Sequence, residues 1–174
     1  MTYYQSLQWL PQSENKIIKK IKKNPKLCLN HSLINCRLDA EDEIILSNIL
    51  YQNKKKIDNN NLKKVYLNII SGSNISFMVK SIFLNCLRNY TFININSFEE
   101  YNLYESFISY KKNDKNLNEK TINFLALDSL DFIEFNKNQS VKEYLKNLEK
   151  ILEELSKENK VIILQNLIIY KNFD

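Results

Sequence analysis

A chain of 174 residues can bury a core in one domain without staples, and 44% hydrophobic against 26% charged residues excludes a disordered or fibrous chain. The net charge of +5 allows contact with nucleic acid or an acidic partner, yet Arg37 and Arg88 are the only arginines. Bidentate reading of bases is thereby excluded, and any DNA binding is expected to be weak and non-specific. Three cysteines make no disulfide framework, and no apolar run approaches the roughly 20 residues of a bilayer span, which predicts a reduced, cytoplasmic protein with no membrane partner.

The opening MTYYQSLQWLPQSENK lacks a charged head followed by an apolar core, so no signal peptide is expected. Residues 1–37 read as a basic N-terminal extension ahead of an α/β core at 38–174. Within the extension, ENKIIKKIKKNPK predicts a short amphipathic turn that Pro25 stops. Its six basic residues between 16 and 26 make it the best candidate for a nucleic-acid or membrane surface, though a solvated lysine face is the plainer reading. The bias toward Asn, Lys and Ile is that of AT-rich coding and lowers the weight of any single lysine.

LDAEDEIILSNILYQNKKK, residues 38–56, predicts a helix with acids in its first turn, lysines at its end, and Ile44, Ile45, Ile49 and Leu50 on one side. A polar connector follows, and then the pattern becomes regular. VYLNII (65–70) predicts a strand, FMVKSIFLNCLRN (77–89) a helix, and YTFININ (90–96) a second strand. Ser97 and Glu100 fit a capping box opening the next helix, in which Phe98, Tyr101, Leu103 and Phe107 read as core and flank rather than a base-stacking platform. The apolar run Phe124 to Leu127 predicts a third strand that ends at Asp128. Ser140 and Glu143 fit a second capping box, opening a helix with Tyr144, Leu145, Leu148, Ile151, Leu152 and Leu155 at three- and four-residue steps. VIILQN, residues 161–166, closes the order as a fourth strand. Strands alternating with helices predict a three-layer α/β sandwich around a parallel sheet.

The octet NISFMVKS, residues 74–81, sits between the first strand and its helix. It fits the phosphate-loop pattern G-x-x-x-x-G-K-[ST] only at Lys80 and Ser81. In a working site that lysine neutralises the β and γ phosphates and the serine ligates Mg²⁺. Asn74 and Val79 stand where glycines let backbone amides close on phosphate, and Gly72, the sole glycine, lies two residues early.

Three further segments fall in the order of a known family. FLALDSLDFIE resembles the Walker B strand of AAA+ ATPases, VIILQNL resembles their sensor-1 strand, and YTFININSFEEYNLYESFIS resembles the second strand and helix of the DnaA, Hda and DnaC helicase-loader group. The likeness spans about residues 40 to 170. It implies a P-loop core with Lys80, Ser81, Asp128 and Asn166 as vestigial nucleotide-binding residues. It also implies a strand order with 161–166 between 65–70 and 123–127, and 91–95 at an edge.

Asp128 matches the first Walker B acid, while Ser129 replaces the second and Asp131 lies too far on. The family's arginine finger and helical lid would follow Asp174, so a core lacking the lid is expected. The resemblance therefore implies a pseudo-ATPase with no catalytic residue and at most weak ATP and Mg²⁺ binding. Its expected role is in replication initiation, binding an initiator, helicase or clamp, or DNA. The alternatives are a nucleotide-dependent switch with an atypical loop and a generic α/β interaction module. Cys28, His31 and Cys36 suggest zinc but lack a fourth ligand, so no metal is expected. A single histidine argues against a Ser-His-Asp or Cys-His set.

Overall fold

The structure, a computed structural model, describes residues 11, 17–30, 34–58, 61–113, 121–127, 141–157 and 161–165. His31, Asp128, Asp131, Ser140 and Asn166 lie outside them. The chain is α/β with a four-stranded, all-parallel sheet flanked by helices, as the alternating pattern predicts. Contacts divide it into two compact units, residues 1–64 with 76–93, and residues 65–75 with 94–174.

The first unit is helical. Helix α1 (Ile17–Lys23) buries Ile17 and Ile21, four residues apart, and turns its lysines outward. A 3₁₀ turn (Pro25–Leu29) follows, its Asn24 side chain accepting the Lys26 amide. Helix α2 (Ala40–Gln52) starts where the Asp39 carboxylate accepts the Asp42 amide at 2.7 Å. It ends where Asn53 donates its side-chain amide to the Ile49 carbonyl, and α3 (Lys54–Ile57) is a separate short turn. The expected single helix over 38–56 is therefore interrupted at Asn53. Its buried side matches the expected one only in part: Leu50 is buried, with Leu46 and Ser47 beside it, while Ile44 and Ile45 are exposed. The partner decides this, because α2 packs against α1 and against α4 (Ser76–Arg88), whose Val79, Phe83, Leu84 and Leu87 are buried. Phe83 meets Tyr51 and Phe92 edge-on, each at 5.6 Å between ring centres. Arg88 ties the unit together, donating to the Ile34 carbonyl at 3.1 Å and pairing with Glu43 at 3.3 Å.

Most of the sheet and two helices make up the second unit, the first residues of β1 and β2 being counted with the first. The strands are β1 (Lys63–Ser71), β2 (Thr91–Glu99), β3 (Thr121–Ala126) and β4 (Val161–Leu164), in the order β2-β1-β3-β4. This corrects the order implied by the AAA+ resemblance: β4 is at the edge, and β1 pairs directly with β3, in register Tyr66 with Thr121 through Ser71 with Ala126. Crossover geometry sets the order. The chain steps from β1 to β2, returns past β1 to β3, and then continues outward to β4.

Helix α5 (Leu103–Asn113) opens later than the expected capping box allows. Ser97 lies inside β2, and the cap is Asn102, which accepts the Glu105 amide at 2.9 Å. Helix α6 (Val141–Ser156) buries Tyr144, Ile151 and Leu155, while Leu145, expected on that face, is exposed. Ile70, Leu125, Leu127, Leu103, Phe107, Tyr110, Ile151 and Leu155 form one core cluster. Among the described residues no helix is long and apolar enough to cross a membrane.

Candidate functional site

In a doubly wound sheet the usual ligand crevice lies beyond the carboxyl ends of the strands where the direction of strand addition reverses. With the order β2-β1-β3-β4 that point is the end of β1, which is also where the octet 74–81 begins. The turn there is short. β1 ends at Ser71 and α4 starts at Ser76, leaving only residues 72–75 between them.

A phosphate loop needs its lysine at the mouth of the helix. Here Lys80 and Ser81 are the fifth and sixth residues of α4, more than one turn inside it, and both are half-buried. The amides of a helix interior bond to carbonyls four residues back and are not offered to a ligand. Val79, at the second glycine position of the pattern, is buried in the first unit's core. Gly72 does not adopt a positive φ, so the lone glycine does not build a left-handed cradle either.

Within the second unit, the polar groups around the end of β1 are satisfied by one another. The Ser71 hydroxyl accepts the Ser73 amide at 3.2 Å. The Ser71 carbonyl accepts the buried Ser106 hydroxyl at 2.6 Å, and that hydroxyl in turn accepts the Glu100 amide at 2.8 Å. Ile75, the last residue before α4, donates its amide to the Glu99 carboxylate at 3.3 Å. The chain thus places a carboxylate of its own on the amide next to the helix start, where an anion-binding loop would present its donors.

Of the residues singled out from the sequence, Lys80 and Ser81 fall on one helix, away from its mouth. Asp128 and Asn166 are outside the described residues, which run to Leu127 after β3 and to Gln165 after β4. Cys28 and Cys36 are both buried and in no disulfide, and among the described residues no three His, Cys, Asp or Glu side chains gather as metal ligands.

Sequence reasoning missed Glu99 and Ser106, since both belong to a stretch assigned to a helix that starts too early. It also missed a buried amide ladder across three strands. Asn68 donates to the Asn123 carbonyl oxygen at 3.0 Å, and Asn96 donates to that of Asn68 at 3.2 Å. The Asn123 side-chain nitrogen, fully buried, has no acceptor among the described residues. A polar residue inside each apolar run, VYLNII, ININSF and TINFLA, is the signal that marks it. Compared with family models, curated proteins and solved structures, the chain matches none.

Proposed function

We propose that this chain is a non-catalytic α/β interaction module that works by binding a macromolecular partner and turns over no nucleotide. The observation that carries the reading is the Glu99 carboxylate on the Ile75 amide. A helix start attracts an anion by about 0.3–1 kcal/mol. Glu99 is exposed, so water screens its repulsion of a phosphate about 4 Å away to about 1 kcal/mol. The two nearly cancel, so this helix start offers a triphosphate little net attraction, and no lysine stands at its mouth.

The proposal does not need the replication setting that the resemblance implies. The sheet order differs from the one that family requires, so support comes from the turn itself. Calorimetry with ATP and Mg²⁺ tests it on wild type, Lys80→Ala and Glu99→Gln, alongside a phosphate-release assay. Wild type and Lys80→Ala should both bind more weakly than about 1 mM and release no phosphate. Micromolar affinity lost in Lys80→Ala, together with turnover, would overturn the reading in favour of a nucleotide-dependent switch.

A further inference from the structure

Charge is divided unevenly along this chain. Residues 1–64 and 76–93 carry 14 Lys and Arg against 6 Asp and Glu, a net +8, while the remaining residues carry 11 against 14, a net −3. The excess is concentrated further by the fold of the first unit. Lys19, Lys20, Lys22 and Lys23 are exposed on α1, and Lys26 is exposed on the 3₁₀ turn. That turn packs against both α1 and α3, and α3 adds exposed Lys55 and Lys56. None of these three elements contains an acid.

Five acids are described elsewhere in the unit: Glu41 and Asp42 lie in the first turn of α2, and the other three are committed. Asp39 caps α2, Glu43 pairs with Arg88, and Asp58 pairs with Lys64 at 3.0 Å. With 14 basic residues against 6 acids, the unit has too few carboxylates to balance its lysines as an ordinary mixed-charge surface does.

We infer that the lysines of α1, the 3₁₀ turn and α3 form a surface that binds the phosphate backbone of double-stranded nucleic acid without reading its sequence. Three observations select this partner. An interfacial membrane helix must offer its apolar face to lipid, but Ile17 and Ile21 are 3% and 0% exposed, turned into the unit's own core. Single-stranded nucleic acid is held by aromatic side chains that stack on bases, and IIKKIKK, PKLCL and KKKI contain no aromatic residue. Sequence reading in the major groove relies on arginine forks, and these elements contain only lysine. What remains is point-charge contact with regularly spaced phosphates. The inference names a partner for the proposed interaction module and rests on that reading only for its non-catalytic character; none of its residues belongs to the 71–81 turn.

Fluorescence anisotropy with two labelled DNA duplexes of unrelated sequence, between about 50 and 200 mM salt, tests it. Both duplexes should bind equally, with a log–log salt slope of about −4 to −5 for some five phosphate contacts. The triple variant Lys19→Glu, Lys22→Glu, Lys55→Glu should bind at least about tenfold more weakly, its slope reduced by about 3. The same three positions changed to Gln should show an intermediate loss, which guards against misfolding of the charge-reversed protein. A matched triple on α6, Lys142→Glu, Lys146→Glu, Lys150→Glu, should bind much as wild type does. The inference is overturned by absent duplex binding at the lowest salt, by equal losses in the two charge-reversed triples, or by tighter binding to the single strand. It is equally overturned by tighter binding to equimolar phosphatidylserine–phosphatidylcholine vesicles. None of these outcomes bears on the ATP calorimetry, whose variants lie elsewhere.

Discussion

Arg88 illustrates how much of the helical unit hangs on one side chain. It donates to the Ile34 carbonyl, to Asn85 and to Glu43, and both partners of the ion pair are mostly shielded from water. Arg88→Ala should cost about 2–4 kcal/mol in urea unfolding, because it strands the Glu43 carboxylate and the Ile34 carbonyl together. Arg88→Lys should recover only part, since one ammonium cannot replace a three-way fork. Cys28 makes a different prediction. Burial pushes its thiol from the ordinary 9.0 up to about 12, and Cys86 shifts upward for the same reason. The folded state thus keeps a proton that the unfolded state loses above pH 9.0, so this contribution to stability is intact below 9.0 and disappears as pH rises toward 12. Chemical denaturation across that range should show Cys28→Ala losing less stability with pH than wild type does.

Helix ends and helix faces are where pattern reading and structure part company. The four strands were legible because each is an apolar run bounded by polar residues, and a buried parallel sheet asks for nothing more. The start of α5 was not, because Ser97 with Glu100 offers the same cap spacing as Asn102 with Glu105, and only the continuation of β2 through Glu99 decides between them. The start of α4 was legible to within one residue, Phe77 expected against Ser76 observed, and this early start is what puts Lys80 and Ser81 inside the helix. Of the strand order only the edge position of 91–95 agrees with expectation, since apolar strands of similar composition can exchange neighbours without changing the pattern. For the candidate turn, Lys80 and Ser81 could be named from spacing, but the role of Glu99 depends on a contact 24 residues away. On α6 the face is now specific: Ile151→Ala should cost about 2–5 kcal/mol, and Leu145→Ala should stay within about 0.5 kcal/mol, as read from urea midpoints. Tyr90, at φ 52 in the turn after α4, holds a left-handed conformation that glycine adopts without penalty. Tyr90→Gly should therefore be neutral or stabilising by up to about 1 kcal/mol, whereas Tyr90→Val should destabilise, both read from the same urea midpoints.

The two units are not consecutive pieces of chain. The polypeptide leaves the helical unit at residue 64, returns at 76 and leaves again at 93, so the helical unit lacks α4 unless residues 76–93 are present. A fragment covering residues 1–64 keeps α1, α2 and α3 but loses the helix against which α2 packs. Leu46 and Leu50 would then have a much reduced core to enter, and the fragment should melt without a cooperative transition by circular dichroism, while the full chain shows one.

The pairing of β1 with β3 also carries a cost in time. Asn68 and Asn123, neighbours in the finished sheet, are 55 residues apart in the chain. At a synthesis rate of about 5–20 residues per second, β1 leaves the ribosome roughly 3–10 seconds before its inner partner exists. Through that interval Ile69 and Ile70 sit on a strand with one edge unmatched, and the nascent chain presents an apolar ribbon to every other chain nearby. Slower elongation lengthens the exposure, so the yield of folded protein depends on translation speed and on holding chaperones as well as on the stability of the finished sheet.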